Sequence, residues 1–281
     1  MHKDWTISLK FDLLRTRAPY FHSSGMASHP PQSCCYQGFK HDGRPQGALS
    51  MLGDFEVYIS HPPSKSENGI LILTDIIGHH LTNAQLIADQ FATNGYFVLM
   101  PDLFYGDAVP LNKPGEFDME KWRTGGYHPE GKNHLPSTVD PIVESCLREM
   151  RTQFDCKRIG AVGYCFGGKY VVRHLHPGKI DVGYTAHPSH IEEAELKAIQ
   201  GPLAIAAAET DGIFSVEKRH VSEGILRELS LPYQINLYSG VEHGFAVRGD
   251  PAIQAVRYAK RSAFVQGVEW FNEHLNQEDI V

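Results

Sequence analysis

The segment Gly163-Tyr164-Cys165-Phe166-Gly167-Gly168 sets a cysteine between glycines, directly after an apolar run and before a stretch with helical spacing. This is the form of a nucleophile elbow, G-x-S-x-G, with cysteine in the place of serine. The glycines have a physical reason, because side chains at 163 and 167 of such a strained strand-to-helix turn would collide with neighbouring backbone. A helix N-terminus beneath Cys165 also favours a thiolate. Taken alone, the hexapeptide fits equally well a tight turn holding an inert buried cysteine. Two later residues bear on the choice. Asp211, in Ala208-Glu-Thr-Asp211-Gly212, follows the apolar run Leu203 to Ala208, and His243, in Gly240-Val-Glu-His243-Gly244-Phe245, follows the next one. An Asp-Gly pair is ordinarily a turn, and a lone loop histidine is ordinarily solvated. A thiol, an orienting carboxylate and a proton-accepting imidazole, in the order nucleophile, acid, histidine and each just past a strand, are the parts of a Cys-His-Asp triad.

The elements that must position these residues follow from the apolar pattern. Asp54 to Ser60 alternates like a half-exposed strand, whereas Gly69-Ile-Leu-Ile-Leu-Thr-Asp75 is a continuous run suited to a strand covered on both faces. Ala84, Ile87, Ala88 and Phe91 share a helical face that Gly95 is placed to stop. Tyr96 to Met100 reads as a buried strand cut by Pro101, and Asp102 to Pro136 as a long functional loop rich in Gly, Pro and His. Asp140 is expected to cap a helix with Pro141 at its first position and a buried stripe of Val143, Cys146, Leu147 and Met150. Arg158 to Val162, Leu203 to Ala208 and Pro232 to Tyr238 read as further strands. Val216 to Leu229 reads as a helix, and a last helix carries Phe264, Val268, Phe271 and Leu275. Strands alternating with helices predict an α/β fold of a single domain, a mostly parallel central sheet with helices on both faces.

With these residues in place, the chain resembles the dienelactone hydrolase (carboxymethylenebutenolidase) family of α/β-hydrolases. The matching pieces are Gly163-Tyr-Cys-Phe-Gly-Gly168, Pro101-Asp-Leu-Phe-Tyr-Gly-Asp107, Glu209-Thr-Asp211 and His243-Gly-Phe245, and they span about Met26 to the C-terminus. The resemblance implies the α/β-hydrolase fold and hydrolysis of an ester or lactone through a thioester on Cys165. It also implies an oxyanion hole from the backbone amides of Ile76 and Phe166. Family members carry a carboxylate after an early strand that pairs with the resting thiol. Asp75, in Thr74-Asp-Ile-Ile-Gly78, stands there, where well-studied bacterial members have glutamate. The competing reading of Asp75 is a helix cap or a turn acid. Bacterial members hold the lactone's carboxylate with two arginines. Arg248 lies one position beyond the place of one of them and no residue matches the other, so Arg248 is either a substrate-binding residue or a plain surface charge. Trp122 and Tyr127 in the long loop are candidates for an apolar lid over substrate, and His79, His80, His187 and His190 are further candidates for the pocket wall.

Bulk properties narrow the rest. With 281 residues, 42% hydrophobic and 21% charged, the chain can bury a large core. A net charge of −7 and a pI near 6.1 speak against nucleic acid or an anionic membrane as partner. The expected partner is a small ester or lactone, and a homodimer is allowed although the sequence does not fix the oligomeric state. No run of about eighteen apolar residues is present to span a bilayer. Five cysteines without paired spacing suggest a reducing, cytoplasmic setting. With no Cys-x-x-Cys or His-Glu-x-x-His spacing, no metal site is expected, and the hydrolysis expected here calls for no organic cofactor. Residues 1–25 read as a flexible extension ahead of a domain over 26–281, a loose tail or an addition upstream of a second start at Met26. Two other functions fit the same residues. One is a thioesterase or peptidase-like hydrolase on the same fold, and the other is a non-catalytic binding or redox-sensing protein in which Cys165 is an oxidisable thiol.

Overall fold

Eight strands form one sheet: β1 (Ala48–Leu52), β2 (Phe55–Ser60), β3 (Asn68–Leu73), β4 (Phe97–Pro101), β5 (Arg158–Tyr164), β6 (Val182–Ala186), β7 (Leu203–Thr210) and β8 (Tyr233–Glu242). Their order is β1-β2-β4-β3-β5-β6-β7-β8. The first two strands run antiparallel at one edge, and every pair from β4 to β8 is parallel. The computed structural model that gives this architecture describes residues 25–276. Apart from Gly25, the extension expected over residues 1–25 lies outside the described residues.

Why the centre of the sheet reads as unbroken apolar runs is plain from β3. Leu71 and Leu73 enter a core on one face, while Ile70 and Ile72 enter a second core on the other. The helices divide accordingly. On one side lie α1 (Thr82–Thr93), whose stripe is Ala84, Ile87, Ala88 and Phe91, and α8 (Gln254–Leu275), which buries Val268, Phe271 and Leu275. The short turn α7 (Phe245–Arg248) joins them. On the other side lie α3 (Pro136–Thr152), α4 (Phe166–His174), α5 (Glu193–Lys197) and α6 (Val216–Glu228), with the short α2 (Met119–Arg123) inside the long loop. Among the described residues, no helix is long and apolar enough to cross a membrane.

Two expectations are corrected. The helix expected to start at Asp140 begins at Pro136, where the missing proline N–H removes no helical bond. The side-chain oxygen of Asn133 accepts from the amide of Leu135 at 3.0 Å and from the hydroxyl of Thr138 at 2.8 Å, so this asparagine organises the helix entrance. Pro141 therefore sits inside α3, and the Asp140 carboxylate accepts hydrogen bonds from Arg173 and pairs with His174. Pro101 does not interrupt the strand before it but is the last residue of β4, opposite Val57 of β2.

Residues 25–47 add no strand to the sheet and run as a strap across the end where β3, β5, β7 and β8 finish. Met26 bridges to Glu192, the amide of His29 donates to the carbonyl of Ile213, that of Phe39 to the carbonyl of Arg248, and that of His41 to the side chain of Asn83. Within the strap, Ser33–Tyr36 close a single 3₁₀ turn that buries Cys35.

Candidate active site

The sheet delivers its chemistry at strand ends. Cys165 follows β5, Asp211 follows β7, His243 follows β8, and Thr74-Asp75-Ile76 follow β3. Cys165 has φ 49° and ψ −107°, a strained backbone for a non-glycine residue, and it stands directly before the first residue of α4. The elbow tolerates this only because its neighbours lack side chains. A Cβ on Gly163 would come 2.7 Å from the carbonyl of Gly167 and from the backbone of Gly168, and one on Gly167 would overlap the carbonyl of Leu73. These are the collisions that the spacing of the glycines predicts.

Asp211, His243 and Cys165 are all buried. The Nδ1 of His243 lies 2.9 Å from Oδ2 of Asp211, whose other oxygen accepts from the amides of Ile213 and Phe214. The carboxylate is thereby fixed, and it fixes the ring. On the far side of that ring stands Cys35, a residue that no sequence motif singles out. Its Sγ lies 3.5 Å from Nε2 of His243, and the two sulfurs of Cys35 and Cys165 and a ring nitrogen of His243 all fall within 4.8 Å of one another. Sγ of Cys165 is also 3.7 Å from Oγ of Ser189.

Electrostatics separate the two thiols. Burial opposes ionisation of Cys165, but a hydrogen bond from Cys35 and the charge of His243 outweigh it and hold the thiol well below its ordinary range. Burial likewise opposes the imidazolium of His243, yet the charge of Cys165 and the bond to Asp211 lift it to about 10. Cys35 is pushed up by burial and by its bond to Cys165. The shifts run in opposite directions: Cys165 is favoured as a thiolate and His243 as an imidazolium, whereas Cys35 is favoured as a neutral thiol. His187 packs edge-on against His243 with ring centroids 5.0 Å apart, and burial keeps it neutral.

The amide of Gly167 donates to the carbonyl of Thr74 at 3.0 Å, which ties the β3 loop to the elbow. Neither the amide of Ile76 nor that of Phe166, the first residue of its helix, donates to a protein acceptor among the described residues. Asp75 is buried, but its carboxylate is engaged by Nε of Arg248 at 2.8 Å and by the amide of Ile77 at 3.1 Å. Burial raises it, Arg248 lowers it and Cys165 raises it again, leaving it at about 6. Arg248 is fully buried rather than a surface charge, and its Nη1 donates to the carbonyl of Gln37 in the strap. Its Nη2 is buried with no hydrogen-bond partner among the described residues. A cavity of about 650 Å³ opens beside this group, lined in part by Cys34, Gly38, His243, Phe245 and Arg248.

Trp122 and Tyr127 lie elsewhere. Trp122 is buried, donates its indole N–H to the carbonyl of Asp107 and packs on Phe104, His134 and Phe166. Tyr127 is exposed and stacks on Phe117. Together they border a second cavity, of about 270 Å³, whose lining does not include Cys165, Asp211 or His243. Of the four histidine candidates, His187 reaches the site. His79 and His80 pair with Glu56 instead, and the backbone amide of His190 donates to the carbonyl of His29. All five cysteines are free.

"Hydrolase tropI" from Talaromyces stipitatus is 74% identical over 254 residues, 90% of this chain and 100% of that protein. "Hydrolase pyvD" from Aspergillus violaceofuscus is 54% identical over 253 residues, with the same coverage. "Dienlactone hydrolase 1" from Gibberella moniliformis is 32% identical over 261 residues, 89% of this chain and 96% of that protein. Among solved structures, a putative dienelactone hydrolase from Klebsiella pneumoniae superposes with a TM-score of 0.66 at 12% identity, covering 82% of this chain and all of that one, a likeness of fold. The sequence profile of the dienelactone hydrolase family matches residues 55–275, and the chain belongs to that family of hydrolases.

Proposed function

We propose that the protein hydrolyses a carboxylic ester or lactone through a thioester on Cys165, with His243 carrying the proton and Asp211 orienting the imidazole. The observation that carries this reading is the convergence of three groups remote in sequence. The Cys165 sulfur and a His243 nitrogen lie within 4.8 Å, and the other nitrogen is held by Asp211 at 2.9 Å. The Cys165 thiolate attacks the carbonyl carbon, and negative charge develops on the carbonyl oxygen. The amides of Ile76 and Phe166, which have no acceptor among the described residues, are suited to receive it. His243 gives its Nε2 proton to the departing alkoxide, leaving a thioester on Cys165. Neutral His243 then takes a proton from water, hydroxide adds to the thioester, and the acid leaves as the thiolate and imidazolium return.

Cys165 is a better candidate than Cys35 for the nucleophile although Cys35 stands within hydrogen-bond reach of the imidazole. Of the two, Cys165 sits at a helix N-terminus, next in the chain to the open amide of Phe166, and its thiol is lowered where that of Cys35 is raised. Substrate is expected in the cavity that His243 and Arg248 line, with Nη2 of Arg248 free to donate to a carbonyl or carboxylate oxygen. The test is a panel of aryl esters, lactones, thioesters and peptides, with peptide mapping of enzyme quenched during turnover. The expected result is ester or lactone turnover with the acyl group on Cys165 and none in Cys165→Ala. An acyl group on Cys35, or activity retained by Cys165→Ala, would overturn the assignment.

A further inference from the structure

The placement of Cys35 gives this centre a second chemistry. We infer that Cys35, Cys165 and His243 form a binding site for one thiophilic divalent cation of the zinc type, and that occupancy of this site shuts the hydrolytic centre off. The inhibitory half rests on the proposed hydrolysis, whereas the binding half stands by itself.

Tetrahedral zinc holds sulfur at about 2.3 Å and imidazole nitrogen at about 2.0–2.1 Å, which separates such ligands from each other by roughly 3.5–3.8 Å. Cys35 Sγ and His243 Nε2 are already 3.5 Å apart, and all three ligand atoms lie within 4.8 Å of one another. Rotation of buried side chains by less than about 1 Å therefore closes the site. Two thiolates and an imidazole are the donor set that selects zinc, cadmium or copper(I) over magnesium or calcium.

Each ligand also has an outer partner that orients it. Asp211 holds Nδ1 of His243 at 2.9 Å, leaving Nε2 for the cation, and this carboxylate-histidine arrangement recurs around bound zinc. The amide of Gln32 donates to Sγ of Cys35 at 3.4 Å, and the hydroxyl of Ser189 stands 3.7 Å from Sγ of Cys165. The fourth position is left to water from the cavity that His243 borders. Binding expels the Cys35 thiol proton and the proton shared by Cys165 and His243, so two protons leave per cation. The cation then occupies both the nucleophile and the proton carrier. A second group with ligand spacing, Glu56, His79 and His80, lies in another part of the molecule and offers no sulfur.

The test uses the whole reduced protein, stripped with a chelator and titrated with Cd²⁺ alone, read by the ultraviolet thiolate-to-cadmium charge-transfer absorbance. One equivalent should saturate the band and Zn²⁺ should displace it. Cys35→Ser and Cys165→Ser should each weaken binding at least tenfold, Asp211→Asn by about 10–100-fold, and His80→Ala should leave it unchanged. Ester hydrolysis should fall in proportion to occupancy and return on chelation. No saturable band, a band indifferent to Cys35→Ser, or full turnover by the metal-loaded protein would overturn the inference. If the protein lacks esterase activity altogether, the band still decides whether the site exists, so the two readings fail separately.

Discussion

Gly163→Ala puts the elbow itself to the test. The new Cβ would stand 2.7 Å from the carbonyl oxygen of Gly167 and from N and Cα of Gly168, inside the 3.0 Å that such atoms essentially never breach. Relief cannot come from β5, because Gly163 is paired on one side with Leu73 of β3 and on the other with Thr185 of β6. The start of α4 must move instead, by roughly 0.5–1 Å, and it carries Cys165 and the amide of Phe166 with it. Overpacking of this kind costs about 1–3 kcal/mol, which lowers Tm by roughly 2–10 °C in a chain of this size. A misplacement near 1 Å at the reacting atoms costs on the order of 100-fold in rate. The assay pairs a thermal melt with kcat/KM on an activated aryl ester. Gly224→Ala is the control, since that glycine lies in α6 and a Cβ added there would meet no atom within 4 Å, and alanine there should stabilise by about 0.5–1 kcal/mol. Wild-type kcat/KM and Tm in Gly163→Ala would refute the reasoning that the elbow's strain positions the nucleophile.

Further outcomes follow from the same contacts. Asp211→Asn keeps the shape of the site but loses the charge that holds the imidazole, so kcat should fall by about 10²–10⁴-fold with little change in melting temperature; a loss below tenfold would argue against the triad. Because a hydrogen bond from Cys35 and the charge of His243 both lower the Cys165 thiol, iodoacetamide should label Cys165 at pH values below those at which an ordinary cysteine reacts. His243→Ala should move the labelling midpoint upward, the direction required when a positive neighbour is removed, and an unmoved midpoint would show that the thiol does not sense the imidazole. Arg248→Met alone would leave Asp75 buried without its partner, a loss of about 3–5 kcal/mol, so the specificity test uses Asp75→Asn/Arg248→Met against Asp75→Asn. KM for a carboxylate-bearing ester should rise roughly 10–100-fold, as expected for a charged hydrogen bond, while KM for a neutral ester changes less than twofold. Equal shifts for both substrates would remove Arg248 from substrate recognition.

Much of the fold was legible because the relevant information is local. A strand covered on both faces has to be apolar throughout, so β3, β4, β5 and β7 announce themselves. A helix packed on one face has to repeat its apolar residues every three or four positions, as α1, α3 and α8 do. β1 and β6 escaped notice for opposite reasons. β1 is an edge strand with mostly exposed side chains, and β6, Val182–Ala186, is short and diluted by Gly183 and Thr185. The strand ends that present Cys165, Asp211 and His243 could likewise be found, because each follows an apolar run. The burial of Arg248 and the position of Cys35 could not, since both depend on where the strap of residues 25–47 lies. That path is set by single backbone bonds, such as His29 to Ile213 and Phe39 to Arg248, which leave no periodic trace. The adjacent cysteines in the strap were the only hint.

The strap also explains a departure that the sequence raises without resolving. By the family resemblance, Asp75 is expected to stand where bacterial members place the glutamate that pairs with the resting thiol, and an aspartate is one methylene shorter. Here the shorter carboxylate is engaged by Arg248 at 2.8 Å and by the amide of Ile77 at 3.1 Å, so it has partners of its own. On the proposed mechanism, the Cys165 thiolate would be served instead by a hydrogen bond from Cys35 and by the charge of His243, the two influences that lower this thiol. A thiol in that role costs the site little when substrate enters, because Cys35 is uncharged and needs no counter-ion when its hydrogen bond is broken. A carboxyl partner, once ionised, would sit next to the developing oxyanion as a like charge. Cys35 thus adds an uncharged neighbour to the thiol at position 165, and the same placement brings two sulfurs and an imidazole nitrogen within 4.8 Å of one another.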